Sequence, residues 1–278
     1  MTVLLQGSIY LAPYHFHYSQ IGTPSQPTLL FLHGFLGSCH QFLPVMERLA
    51  QAFHCIALDL PGHGQTQVLG EAQAYGMAQT AQGIIQFLDQ LNINKTHLVG
   101  YSMGGRLALY LALQFPERFD RVILESASPG LATETEQSQR RLRDQQLAQQ
   151  LANLGPDDLP QFLHQWYNQP LFASLHHHPH FEKIWYQRLQ NNPQQLAQSL
   201  RYFGLGAQPN LWPHLAQNQV PLLLLVGELD PKFIAINQQI QTQCPLSQLV
   251  IMAGCGHNLH LENLVPFGDQ IQRFIGSQ

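Results

Sequence analysis

Charge is scarce in this chain. Only 11% of its 278 residues are Asp, Glu, Lys or Arg, against about 25% in an average globular domain. The 13 basic residues are outnumbered by 17 acidic ones, for a formal net charge of −4. That balance offers no basic footprint for nucleic acid or for an anionic membrane surface. An anionic ligand would therefore have to be gripped by a few individually placed arginines. Cysteine is equally sparse: Cys39, Cys55, Cys244 and Cys255 stand singly, with no CxxC pair, which argues against a zinc ribbon or a disulfide scaffold and predicts four reduced thiols. Long apolar runs are missing too. The longest, Val220 to Val226, is broken by Pro221 and falls far short of the about 20 residues a spanning helix needs. The N-terminus has no basic segment leading into an apolar one, so the expected address is the cytoplasm, with no membrane insertion.

What the chain has instead is apolar material, 45% hydrophobic and 10% aromatic, enough to build a substantial core rather than a disordered polymer. At 278 residues it exceeds the usual domain of about 100–200 residues, a length that suits one α/β domain carrying an insertion. Thr28–Leu32, His54–Leu58, His97–Val99 with its neighbours, Arg121–Leu124 and Leu222–Val226 are short apolar runs without alternation. Such runs fit strands buried on both faces, as in a parallel sheet. Between them, Gly76–Leu91 and Gly104–Gln114 carry apolar residues at three- and four-residue spacing, the mark of helices. Alternating strands and helices predict the α/β class with a mostly parallel sheet. From Pro129 to about Pro209 the pattern changes to Gln-rich, helical spacing punctuated by prolines and studded with aromatics. We read residues 129–209 as a helical lid inserted into a core made of 1–128 and 210–278.

Chemistry enters at Gly100-Tyr101-Ser102-Met103-Gly104, a G-x-S-x-G directly after a strand and directly before a helix, the context a nucleophile elbow requires. The tight turn projects the serine hydroxyl, and small flanking residues let strand and helix approach. A serine hydroxyl is a weak nucleophile and base by itself, so it needs a histidine oriented by a carboxylate, in the order Ser, Asp/Glu, His. Asp230 in GELDP and His257 in GCGHN meet that order, with Glu228 the competing acid and His260 the competing histidine. An oxyanion hole would use the N–H after the serine, Met103, and one from the loop after an earlier strand, for which Phe35 in HGFLG is the candidate. His33 is read as a ring that ties this loop down, and DLPGHG at 59–64 as scaffolding. The run His176-His177-His178-Pro179-His180 invites a metal, but adjacent positions do not converge on one side and the proline disrupts a helix. No metal and no cofactor is expected.

HGFLG, DLPGHG, GYSMGG, GELDP and GCGHN in this order resemble the α/β-hydrolase superfamily over nearly the whole chain. With HGFLGSCHQF, GYSMGGRLAL, ESASPGL, WYNQPLF, RLQNN, GELDPKF and GHNLHLEN added, the chain is similar to the 2-succinyl-6-hydroxy-2,4-cyclohexadiene-1-carboxylate synthases of menaquinone and phylloquinone biosynthesis. That resemblance implies an α/β-hydrolase fold and a lyase that eliminates pyruvate from 2-succinyl-5-enolpyruvyl-6-hydroxy-3-cyclohexene-1-carboxylate, a small tricarboxylate. It also implies substrate contacts from Tyr101, Arg106, Arg140, Trp166 and Arg188. Arg106 lies one helical turn beyond Ser102, close enough to reach the same cleft, and arginine holds a carboxylate bidentately while staying charged. The choice of Arg140 over Arg141 and Arg143 rests on the resemblance alone. The rival readings are a serine esterase or carbon–carbon bond hydrolase working through an acyl-enzyme, which predicts a burst with an activated ester, and an inert binding protein of the same fold, which predicts a missing triad member.

Overall fold

The computed structural model describes residues 3–276. Nine strands form one sheet: β1 (Leu5–Leu11), β2 (Tyr14–Ile21), β3 (Thr28–Leu32), β4 (His54–Leu58), β5 (Gln67–Val68), β6 (Thr96–Tyr101), β7 (Phe119–Glu125), β8 (Leu222–Gly227) and β9 (Ser247–Met252). Their order is β1-β2-β4-β3-β6-β7-β8-β9, with β5 beside β2. From β4 through β9 every pairing is parallel, and only the β2 pairings with β1, β4 and β5 are antiparallel. The five apolar runs of the sequence are the five central strands. Of the four strands not read from sequence, β1 alternates exposed and half-buried residues, β9 is mostly half-exposed, β5 has only two residues, and the largely buried β2 interleaves His, Ser and Gln with its aromatics.

Helices close both faces of this sheet. Successive β3 residues point to opposite sides. Leu29 and Phe31 join a core with Val45, Met46 and Leu49 of α1 (Leu43–Leu49) and Phe267, Ile271 and Phe274 of the C-terminal helix (Leu264–Gly276). Leu30 and Leu32 join the opposite core with α2 (Met77–Gln90) and α3 (Met103–Gln114). Full burial of such a side chain contributes roughly 1.5–3 kcal/mol, so continuous apolar runs are what a sheet covered on both sides demands.

Between β7 and β8 the chain is helical: α4 (Glu134–Ala152), α5 (Leu159–Tyr167), α6 (Ala173–His176), α7 (Phe181–Arg188) and α8 (Pro193–Phe203). Thr133 and Glu136 form a capping box that starts α4, each satisfying a backbone donor that the helix leaves open. These helices pack around an apolar cluster of their own, including Leu151, Leu163, Tyr167, Ile184 and Leu196, which meets the body through Phe35 and Leu36. After β8 come α9 (Pro231–Gln243), α10 (Leu259–Glu262) and α11, the C-terminal helix already described. No helix among the described residues is long and apolar enough to cross a membrane.

Candidate active site

Strand β6 runs into α3 through a single residue, Ser102, at φ 50° and ψ −104°, a left-handed conformation that costs a non-glycine residue free energy. The neighbouring glycines are dictated by space. A Cβ on Gly104 would sit 2.1 Å from the Leu32 carbonyl oxygen, and one on Gly100 would sit 2.4 Å from that of Gly104. Backbone cannot yield to such contacts, so strand and helix meet only if both positions lack side chains. Ser102 N–H donates to the Glu125 carbonyl (2.8 Å), which ties the elbow to the next strand.

The elbow presents Ser102 Oγ 3.1 Å from His257 Nε2, and His257 Nδ1 lies 2.7 Å from Asp230 Oδ2. Both partners are buried, His257 at 2% and Asp230 at 4% exposure. Asp230 sits at the head of α9, where its Oδ1 accepts the Phe233 N–H (3.3 Å). One carboxylate thus caps a helix and orients an imidazole. The rings of Tyr101, Phe172 and Phe233 surround His257 at 5.6, 6.1 and 4.6 Å between centroids. Two acids hold its loop: Glu262 accepts the N–H groups of Gly256 (2.7 Å) and Asn258 (3.2 Å), and Glu228 accepts that of Gly254 (2.9 Å). Glu228 is therefore a loop tie, and His260 points away from Ser102 to Glu125 (2.7 Å).

His33 secures the loop after β3. Its Nε2 accepts the Leu60 N–H (2.9 Å), so Nδ1 carries the proton and donates to the Gly34 carbonyl (2.8 Å). Burial pulls this imidazole down to about 4, against the upward pull of Asp59, and it is neutral at physiological pH. Gly34 makes room for Tyr101, whose ring would meet a Cβ there at 2.5 Å. Asp59 in turn accepts from Cys39 N–H (2.6 Å), Gln65 N–H (2.9 Å) and His17 Nδ1 (2.9 Å). His17, Cys39 and Asp59 bring metal-capable atoms within 4.8 Å of one another. Burial and the Asp59 charge hold the Cys39 thiol protonated by raising it far above its ordinary range, and both Asp59 oxygens are already engaged, so the group is a hydrogen-bonded anchor for two loops.

Above Ser102 lies a cavity of about 470 Å³ between the sheet and helices α4–α8. All ten residues singled out from the sequence line it: Phe35, Tyr101, Ser102, Met103, Arg106, Arg140, Trp166, Arg188, Asp230 and His257. Arg106 donates to Gln208 Oε1 (2.9 Å) and the Phe203 carbonyl (3.1 Å) and lies over the Phe203 ring at 5.6 Å. Burial, and then the nearby Arg140, pull its guanidinium down to about 9, with Asp144 opposing. Arg140 pairs with Asp144 at 2.7 Å. Arg141 and Arg143, its neighbours on α4, are exposed and do not line the cavity. Arg188 is 2% exposed, with Nε donating to Tyr167 Oη (3.0 Å), Nη2 to Gln41 Oε1 (3.0 Å), and a buried Nη1 without a partner among the described residues. Trp166 packs on Phe35 at 5.2 Å. The sequence reading missed Gln41, Tyr167, Phe172, Phe203, Phe233 and Glu262. Their residue types carry no signature of a site, and only tertiary packing brings them there.

The parallel sheet, the strained serine elbow and an acid and a histidine from later loops define an α/β hydrolase, and a family model described as the alpha/beta hydrolase fold matches residues 27–264. The 2-succinyl-6-hydroxy-2,4-cyclohexadiene-1-carboxylate synthase of Salmonella typhimurium is 35% identical to this chain over 257 residues, covering 91% of it and 96% of the relative. Protein PHYLLO, chloroplastic, of Arabidopsis thaliana is 33% identical over 261 residues, 88% of this chain but 15% of that much longer protein. The solved structure of MenH from S. aureus superposes with a TM-score of 0.86 at 34% identity, over 95% of this chain and 98% of the other. The chain belongs to the 2-succinyl-6-hydroxy-2,4-cyclohexadiene-1-carboxylate synthase family.

Proposed function

We propose that the chain eliminates pyruvate from 2-succinyl-5-enolpyruvyl-6-hydroxy-3-cyclohexene-1-carboxylate, with Ser102, His257 and Asp230 as its proton-transfer apparatus. The observation that carries this reading is that the Ser102–His257–Asp230 chain opens into the same cavity as Arg106, Arg140 and Arg188. His257 takes the Ser102 proton, and the serine oxygen removes the proton alpha to the succinyl ketone. The freed electron pair passes through the ring alkene and breaks the bond to the enolpyruvyl oxygen. Pyruvate leaves as its enolate and collects the proton held on His257, which returns the apparatus to its starting state. Asp230 stabilises the imidazolium formed on the way.

The N–H groups of Phe35 and Met103 hold the enolate oxygen of the ketone. Met103 opens α3, where N–H groups have no partner within the helix, and such preorganised donors are worth about 2.7–4 kcal/mol each. Residues 129–209 act as the lid, contributing Arg140, Trp166 and Arg188. The three arginines divide the substrate carboxylates, and Tyr101 and Trp166 wall its ring. We place the reaction in the cytoplasm, in keeping with four free cysteines. The test is pyruvate release followed with a coupled dehydrogenase. Wild type should reach a kcat/KM of about 10⁴–10⁸ M⁻¹s⁻¹ and Ser102→Ala should lose it; folded wild type that releases nothing above the uncatalysed rate defeats the proposal.

A further inference from the structure

Arg188 is a buried cation that donates to Tyr167 in the cavity wall and, on its other side, to a chain of polar groups that the elimination itself does not use. Its Nη2 lies 3.0 Å from Gln41 Oε1, Gln41 Nε2 lies 2.9 Å from His260 Nε2, and His260 Nδ1 lies 2.7 Å from Glu125 Oε2 and 2.9 Å from Oε1. Gln41, His260 and Glu125 are 2%, 2% and 0% exposed. Elsewhere in the fold such a run of polar groups would cost free energy for each one removed from water, and here all of it stands behind a single guanidinium.

The direction of every bond in the chain follows from one fact, that a guanidinium can only donate. Gln41 must turn its carbonyl oxygen to Arg188, so its NH₂ faces His260. His260 Nε2 must then accept, which puts the ring proton on Nδ1, where it donates to Glu125. Glu125 also accepts the His260 backbone N–H (3.1 Å), and the rings of Phe42, Tyr101 and Phe267 enclose the imidazole at 4.5, 5.1 and 5.8 Å. Neither His260 nor Gln41 can rotate without breaking a bond further along. If Gln41 were reversed, its NH₂ would face the Arg188 donors, and the guanidinium would lose one of its two acceptors.

We propose that Gln41 is a positioning residue for substrate binding, locked by the His260–Glu125 pair so that Arg188 is held in one orientation for a substrate carboxylate. The role of Arg188 as a carboxylate contact rests on the function proposed above; the locked direction of the chain does not. Preorganising a cation in this way removes an ordering cost that substrate would otherwise meet on binding.

Two measurements test it. The first is kinetic, with Gln41→Leu, a substitution of similar size that removes both polar atoms. It should raise KM for the enolpyruvyl substrate about tenfold or more while kcat stays within about threefold, the signature of lost ground-state and transition-state binding alike. In an Arg188→Ala background the same substitution should have no further effect, because a group acting through Arg188 has nothing left to act on. An unchanged KM, or an equal loss in both backgrounds, overturns the proposal. The second is the ring ¹⁵N spectrum of wild type, which should show His260 neutral and protonated at Nδ1; a proton on Nε2 overturns it. That spectrum reads the same whatever reaction the enzyme performs, so failed pyruvate release with an Nδ1 proton would count against the proposed function and leave the locked chain standing.

Discussion

Replacing Asp230 with asparagine separates its two duties. The carboxylate accepts from Phe233 N–H through Oδ1 and from His257 through Oδ2, whereas an amide has one oxygen to offer. If that oxygen keeps the His257 Nδ1–H, the NH₂ turns to the Phe233 N–H and the helix loses its cap, at about 1 kcal/mol. If it keeps the cap, the NH₂ faces Nδ1, the ring proton moves to Nε2, and His257 donates to Ser102 instead of accepting from it. In both arrangements the charge that would stabilise an imidazolium is gone. The equivalent substitution in a serine protease lowers kcat about 10⁴-fold through the wrong tautomer, about 5 kcal/mol of barrier. We expect the same order of loss in kcat for pyruvate release by Asp230→Asn, with KM nearly unchanged and the urea unfolding midpoint lowered by no more than the cap is worth. Folded Asp230→Asn working within about tenfold of wild type would refute the reasoning, since ten is far short of the factor set by a misplaced proton.

Gly104→Ala should cost about 3 kcal/mol or more, at the upper end of overpacking, because its methyl would lie 2.1 Å from the Leu32 carbonyl oxygen and 2.6 Å from that of His33; a wild-type melting temperature would show that the elbow is looser than it looks. Acid should weaken the fold before carboxylates matter. The unfolded chain takes up the His33 proton near 6.5 and the folded one only near 4, so stability is complete above 6.5 and falls as pH drops toward 4, by about 3 kcal/mol from this residue alone. Urea midpoints that stay flat over that interval would contradict it.

The parts of this protein that show in its sequence are those under local constraint. Leu30, Phe31 and their counterparts had to be apolar on consecutive positions because both faces of the central sheet are covered, and Gly100 and Gly104 had to be glycine because backbone lies against them. Strands β1 and β2 carried no such mark: Tyr14–Ile21 interleaves His, Ser and Gln with its aromatics, and its burial comes from partners distant in sequence. The same divide runs through the site. Ser102, Asp230 and His257 follow from an order of motifs, while the preference for Arg140 over Arg141 had no local reason until α4 was seen to turn Arg140 toward the cavity and leave Arg141 exposed. Gln41 was invisible, since a glutamine signals nothing until a buried arginine stands in front of it.

The scarcity of charge in the sequence and the chemistry proposed for the cavity are one problem. A chain of net charge −4 repels an anion at long range, so attraction has to be built locally and kept from being neutralised. The cavity does so by choosing partners for its arginines. Only Arg140 is given a carboxylate, Asp144, whereas Arg106 is held by a carbonyl and the Gln208 amide, and Arg188 by the Gln41 amide and the Tyr167 hydroxyl. Neutral acceptors fix a guanidinium in place without cancelling its charge. The cost of keeping such cations from water shows in Arg106, pulled down to about 9, and an incoming carboxylate relieves it. A neutral ester would meet the same serine and histidine but leave that cost in place. Under the function proposed above, substrate choice in this protein would therefore lie in what holds the arginines, and the serine elbow would serve the reaction that the bound anion presents to it.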